Sequence, residues 1–155
     1  IVSGGAWIGL QPSEAPASTA PLGHLSASPS QIRVIDGRTL RLRDRTVQLA
    51  GVQTAERGSA CDGSAGSDCG AAATAAANAL TDLVRDAGID CALSGAGQSG
   101  RPLAMCTAGG QDLNLTMVAS GWARAAPGAT AFAAAEQRAR SERRGLWARH
   151  WAAMN

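Results

Sequence analysis

Residues Val34–Leu40 read VIDGRTL. Apolar residues flank an Asp-Gly pair, a strong short-range signal for a hairpin corner, so Asp36, Arg38 and Thr39 gather at one end of a sheet. The odd member is Arg38. A carboxylate there would suit a metal or acid–base site, whereas a guanidinium opposes a cation. On either side, QIRVI (31–35), TLRLR (39–43) and TVQLAGV (46–52) are apolar or alternating runs separated by DGR and RDR. They predict three successive antiparallel strands.

Beyond these strands, CGAAATAAANALTDLVRDAG (69–88) carries Ala76, Leu80, Leu83 and Val84 at helical spacing and a glycine stop at Gly88. This predicts a helix. IDCALSG (89–95) and RPLAMCTA (101–108) read as a second hairpin. DLNLTMVASG (112–121) reads as a short helix with Asp112 as its N-cap. A last helix is expected from about Thr130 to Arg144, ending at Gly145, with Leu146, Trp147 and Trp151 as large apolar anchors. The order of three strands, helix, two strands and two helices suits a small barrel packed on helices.

The chain has 155 residues, enough for one domain with a working core. Its formal charge is +2, and every one of its basic residues is arginine. A strong phosphate binder carries a denser basic stripe than this. The cysteines Cys61, Cys69, Cys91 and Cys106 form no C-x-x-C pair of the kind zinc and redox motifs use. Cys91 and Cys106 are equidistant from the point between Gln98 and Ser99 in the turn-like run SGAGQSGRP, so a hairpin folded there places them opposite each other. Cys61 and Cys69 enclose a Gly, Ser and Asp loop that a second bridge would pin. Two disulfides are the leading reading, with four reduced buried thiols as the alternative. Disulfides imply an oxidising compartment, the periplasm or exterior of a bacterium.

At the N-terminus, IVSGGAWIGL (1–10) is apolar and too short to span a bilayer, and reads as the end of a candidate membrane anchor or signal segment. QPSEAPASTAPLGHLSASPS (11–30) is rich in Pro, Ser and Ala and reads as a linker. The folded domain is expected over 31–155.

VIDGRTL, LAGVQTAERG (49–58), GRPLAMCTAGGQDLNLTMVASGWA (100–123) and EQRARSERRGLW (136–147) resemble, in order and spacing, the staphylococcal nuclease-like or thermonuclease domain. The resemblance runs from about Ile32 to Trp147. It implies an α+β architecture: an OB-fold five-stranded barrel with about three helices. It also implies a family chemistry, cleavage of DNA and RNA phosphodiesters with one calcium ion. Family members hold that ion with the second acid of V-I-D-G-D-T and the Asp of V-D-x-P-E. The Glu of the second motif serves the attacking water. One arginine just before that motif and another in a Y-G-R run hold the phosphate.

Carried onto this chain, the pattern is mostly broken. The first acidic ligand is Arg38, the second is Gln53 in VQTAE, the proline is Ala55, and the first arginine is Gln48. Thr54, Glu56 and Arg101 survive. Exchanging carboxylate for guanidinium changes the local charge by two units, each worth about 4 kcal/mol at about 4 Å in a partly screened site. That argues against a calcium cofactor. The aromatic nucleotide pocket is weakened as well, because the first tyrosine position is Ser99 and the chain contains no tyrosine.

Glu56 therefore reads as a residual general base or as the ion-pair partner of Arg38 or Arg101; Arg101 holds a phosphate or bridges to Glu56. Asp36 and Thr39 are expected to satisfy backbone donors of the turn. His24 and His150 read as surface histidines, and Trp122 and Trp147 as core. Trp7 and Trp151 are candidate anchors at a membrane or protein surface, with barrel packing the alternative for Trp151. Arg138, Arg140, Arg143 and Arg144 form a basic helix face. The functional expectation is a catalytically degenerate, exported binding or structural module, an accessory subunit of a membrane complex contacted through residues 1–30. The alternatives are a divergent metal-dependent nuclease using Glu56 and Arg101, and a silent nucleic-acid binder.

Overall fold

A computed structural model describes residues 23–56, 69–97, 99–149 and 151. The VIDGRTL run forms the corner between β2 (Ile32–Asp36) and β3 (Thr39–Leu42), and a second tight turn leads into β4 (Arg45–Leu49). Pairing is antiparallel, with Val34 opposite Leu40 and Leu40 opposite Val47. Alternation sends Leu40, Leu42, Val47 and Leu49 into the core. The expected strand 46–52 is broken: Gly51 takes a φ of +75°, and a Cβ on it would lie 2.7 Å from the Phe132 ring. The chain therefore turns after Leu49 and resumes as the short β5 (Val52–Gln53).

The α1 helix (Gly70–Val84) buries Ala72, Ala76, Leu80 and Val84, the apolar face legible in the sequence. The hairpin of β6 (Ile89–Ala96) and β7 (Pro102–Ala108) follows. Cys91 pairs with Cys106 in register and is disulfide-bonded to it, with Cα atoms 4.1 Å apart. The folding point between Gln98 and Ser99 is thus the one expected as far as Leu93, beyond which a bulge shifts the register. Cys69 is also disulfide-bonded; its expected partner Cys61 lies outside the described residues. After the short β8 (Gln111–Asp112) comes α2 (Leu113–Ala119), where the Asp112 carboxylate accepts the Leu115 N–H at 3.0 Å as the predicted N-cap. The short β9 (Arg124–Ala125) pairs with β5. The last helix is shorter than expected: a 3₁₀ turn over Thr130–Phe132 leads into α3 (Ala133–Ser141), and Arg143 enters the left-handed region at φ 53°.

The main sheet has the order β1 (Gly23–Ala27)-β6-β7-β4-β3-β2, with β8 on β7, and it is mixed because β4 runs parallel to β7. Curled and packed on three helices, it is the expected OB-fold α+β arrangement. One boundary moves. Gly23–Ala27, expected inside the 11–30 linker, forms β1, which pairs along β6 from Gly23 opposite Leu93 to Ala27 opposite Ile89. Leu25 packs on the core and Ala27 is buried in it, so these residues belong to the domain. His24 is on this strand, exposed as expected.

A buried polar group knits the layers together. Asn114 on α2 is fully buried; its amide donates to the Ala50 and Ala104 carbonyls at 2.8 and 3.0 Å, and its Oδ1 accepts the Cys106 N–H at 3.0 Å. One side chain thereby joins α2 to β7 and to the end of β4.

Candidate functional site

The corner between β2 and β3 is seated on α1. Gly37 is buried, and a Cβ there would lie 2.6 Å from Ala76 Cβ and 3.1 Å from Thr54 Cγ2, so only glycine lets the turn approach this closely. The turn, α1 and the segment after β5 therefore converge. Asp36 Oδ1 accepts the Arg38 N–H at 2.9 Å, an Asx-type turn as expected. Arg38 O accepts the Leu49 N–H at 2.7 Å, which ties the turn to β4.

From this frame the Arg38 side chain reaches Glu56, with Nη2 and Oε1 3.3 Å apart. This is one of the two pairings open to Glu56 from sequence; Arg101 does not share it. Glu56 is 67% exposed and Arg38 30%, so water screens the pair. Thr39, expected to meet a backbone donor of the turn, is fully buried instead with its hydroxyl 3.5 Å from the Gln48 Nε2 opposite it. Gln48 also lies beneath the turn after β6, where its Oε1 is 3.5 Å from the position a Cβ on Gly97 would take. That turn, closed by Gly97 N–H to Arg101 O at 2.9 Å, presents Arg101 exposed. Gln53 is exposed on β5, opposite Arg124.

The fold thus brings Asp36, Arg38, Thr39, Gln48 and Glu56 to one end of the sheet, with Thr54 against the turn and Arg101 on the neighbouring loop. The donor set does not suit calcium, which takes about six to eight oxygens, several of them anionic. Asp36 caps its own turn, Glu56 faces a guanidinium, and the remaining donors are neutral. Among the described residues no three of His, Cys, Asp and Glu converge as a metal site.

A second cluster, with no counterpart among the sequence expectations, lies beside Gln53. The Arg124 guanidinium lies 5.0 Å from the ring centres of both Trp147 and Trp151, and Arg140 lies 4.9 Å from Trp147. The two tryptophans meet edge to face at 5.2 Å. Glu136 Oε1 accepts the Ala125 N–H at 2.9 Å. Burial pulls the Arg124 pKa below its ordinary value, Glu136 opposes that shift and Arg140 adds to it. Trp151 is therefore no surface anchor: it is 3% exposed, packed on Trp147 and Arg124. Trp147 is core as expected and Trp122 is partly buried. The basic face of α3 is only partly solvated, because Arg140 covers Trp147 and Arg144 pairs with Glu142. Trp7 and His150 lie outside the described residues.

A barrel of this topology, carrying these positions at the end of the sheet, defines a nuclease-type OB domain. A family model described as staphylococcal nuclease homologue matches residues 46–149, and the chain belongs to that family. The match includes Gln48, Gln53, Thr54, Glu56 and Arg101. It begins after the VIDGRTL corner, which the β3–β4 ladder joins to the matched part. No curated protein matches the chain.

Proposed function

We propose that this chain is a catalytically silent member of the staphylococcal nuclease family, serving as an exported binding or structural module. The observation that carries the reading is the Arg38–Glu56 pair: a cation occupies the place of a calcium carboxylate and engages the acid that would serve the attacking water. Gln53 and Gln48 replace a second anionic ligand and a phosphate-holding arginine, which removes charge from both sides of the reaction. Export is supported by the Cys91–Cys106 disulfide, which suits an oxidising compartment such as the periplasm. Among the described residues no helix is long and apolar enough to cross a membrane. Attachment to a membrane protein complex is assigned to the apolar and Pro-rich sequence before Gly23.

A divergent nuclease is the second reading, favoured by one fact: Glu56 and Arg101 are both exposed at the same end of the sheet. Incubating the full chain with single-stranded DNA and calcium, magnesium or manganese separates the readings. The proposal expects no cleavage with any of the three. Metal-dependent cleavage that disappears in Glu56→Ala establishes the nuclease instead.

A further inference from the structure

We infer that the outer face of the β2–β3 hairpin, built on Arg33, Arg41 and Arg43, is a docking surface for an anionic lipid bilayer. Arg33 stands directly opposite Arg41 across the two strands, and both are exposed. Like charges in facing positions oppose strand pairing, so stability of the hairpin does not account for them. Two of the three guanidiniums are oriented by the backbone. Arg43 donates through Nε to the Ser26 carbonyl at 3.1 Å and through Nη2 to the same oxygen, and Arg41 Nε donates to the Arg43 carbonyl at 3.3 Å. These bonds use few of the five donors each guanidinium carries. The rest border an open groove of about 460 Å³ lined by Ser30, Gln31, Ile32 and the three arginines. No carboxylate among the described residues forms an ion pair with any of them, Asp44 of the adjoining turn included.

The chemistry favours phospholipid headgroups over a nucleic-acid strand. No aromatic side chain lines the groove, so bases have nothing to stack on. The neighbouring exposed residue on β2 is Ile35, 49% exposed, and basic side chains beside an exposed aliphatic suit an anionic interface. Moreover, β1, which closes on this hairpin through Ser26, is the strand into which the apolar N-terminal sequence leads. The inference does not depend on whether the nuclease site is active.

The test is co-sedimentation of the full chain with phosphatidylcholine vesicles and with vesicles also containing phosphatidylglycerol, at low and high salt. Binding is expected only to the anionic vesicles and only at low salt. Each arginine removed should weaken it about fivefold, so Arg33→Gln lowers it about fivefold and Arg33→Gln/Arg41→Gln about thirtyfold. Arg33→Glu is the control against misfolding, since the Arg33 side chain makes no hydrogen bond or ion pair with any described residue and the new carboxylate faces Arg41; it should weaken binding more than Arg33→Gln with a melting temperature no lower than the parent's. Equal binding of parent and Arg33→Glu, or no binding of the parent to anionic vesicles, overturns the assignment. So does tighter, Arg33-dependent binding to a labelled single-stranded oligonucleotide, which would make the face a nucleic-acid surface.

Discussion

The Arg38 guanidinium and the Glu56 carboxylate stand 3.3 Å apart at the rim of the barrel, one on the β2–β3 turn and the other just past β5. Their separation along the chain is closed by the seating of Gly37 and Thr54 against each other, so the pair is a product of the fold rather than of local sequence. With Glu56 two-thirds exposed, the pair adds little stability. Arg38→Ala and Glu56→Gln should each change unfolding free energy by less than about 1 kcal/mol, and their double-mutant cycle should give a coupling in the same range. Urea denaturation of the four proteins measures this; a coupling several times larger would mean that the pair is a structural keystone.

Gly37→Ala is the sharper perturbation of the same corner. The added methyl meets Ala76 Cβ at 2.6 Å, and neither the turn nor the middle of α1 yields easily. Overpacking of this kind costs about 1–3 kcal/mol. Combining it with Ala76→Gly should recover part of the loss despite the helix penalty, because the clash is between those two atoms. A double variant no more stable than the additive sum would show that the turn does not rest on Ala76.

Asn114→Leu keeps the branched shape but brings a bulkier, wholly apolar side chain, and it should be strongly damaging. It leaves the Ala50 carbonyl and the Cys106 N–H without the partner they have now, while the Ala104 carbonyl keeps only the Ala50 N–H. The expected loss is about 3 kcal/mol or more by chemical denaturation. A near-neutral result would mean that another group satisfies those atoms.

Removing the β6–β7 bridge with Cys91→Ser/Cys106→Ser should destabilise the domain by about 3 kcal/mol, the loop-entropy value for the separation of 15 residues. Reduction of the parent, which also breaks the Cys69 disulfide, should lower the melting temperature at least as far, and the double variant should respond to reductant only through the Cys69 bridge.

What could be read from sequence was local or symmetric. Helix α1 declared itself by the spacing of Ala76, Leu80 and Val84, and α2 by Asp112 ahead of an apolar run. The pairing of Cys91 with Cys106 followed from a hairpin's symmetry about one point. The bulge after Leu93 left no trace in that symmetry because it adds one residue to β6 alone, between Leu93 and Gly95. Strand β1 was hidden for a related reason: GHLSA alternates for five residues only, after a Pro-rich stretch, and its partner β6 is far along the chain. The site was legible as a set of positions through the family resemblance, and the geometry added which acid Arg38 engages. Asn114 and the Arg124–Trp147–Trp151 stack were beyond reach, since an isolated Asn in an amphipathic run and an Arg in a short strand carry no signal of the distant groups that enclose them.

Whether the Arg38 corner has lost calcium, as the proposed function requires, is decided by a calorimetric calcium titration of the full chain. No saturable binding is expected in the parent, and binding should appear when the two acids are restored in Arg38→Asp/Gln53→Asp. Saturable calcium binding by the parent that is lost in Glu56→Gln would contradict the proposed function.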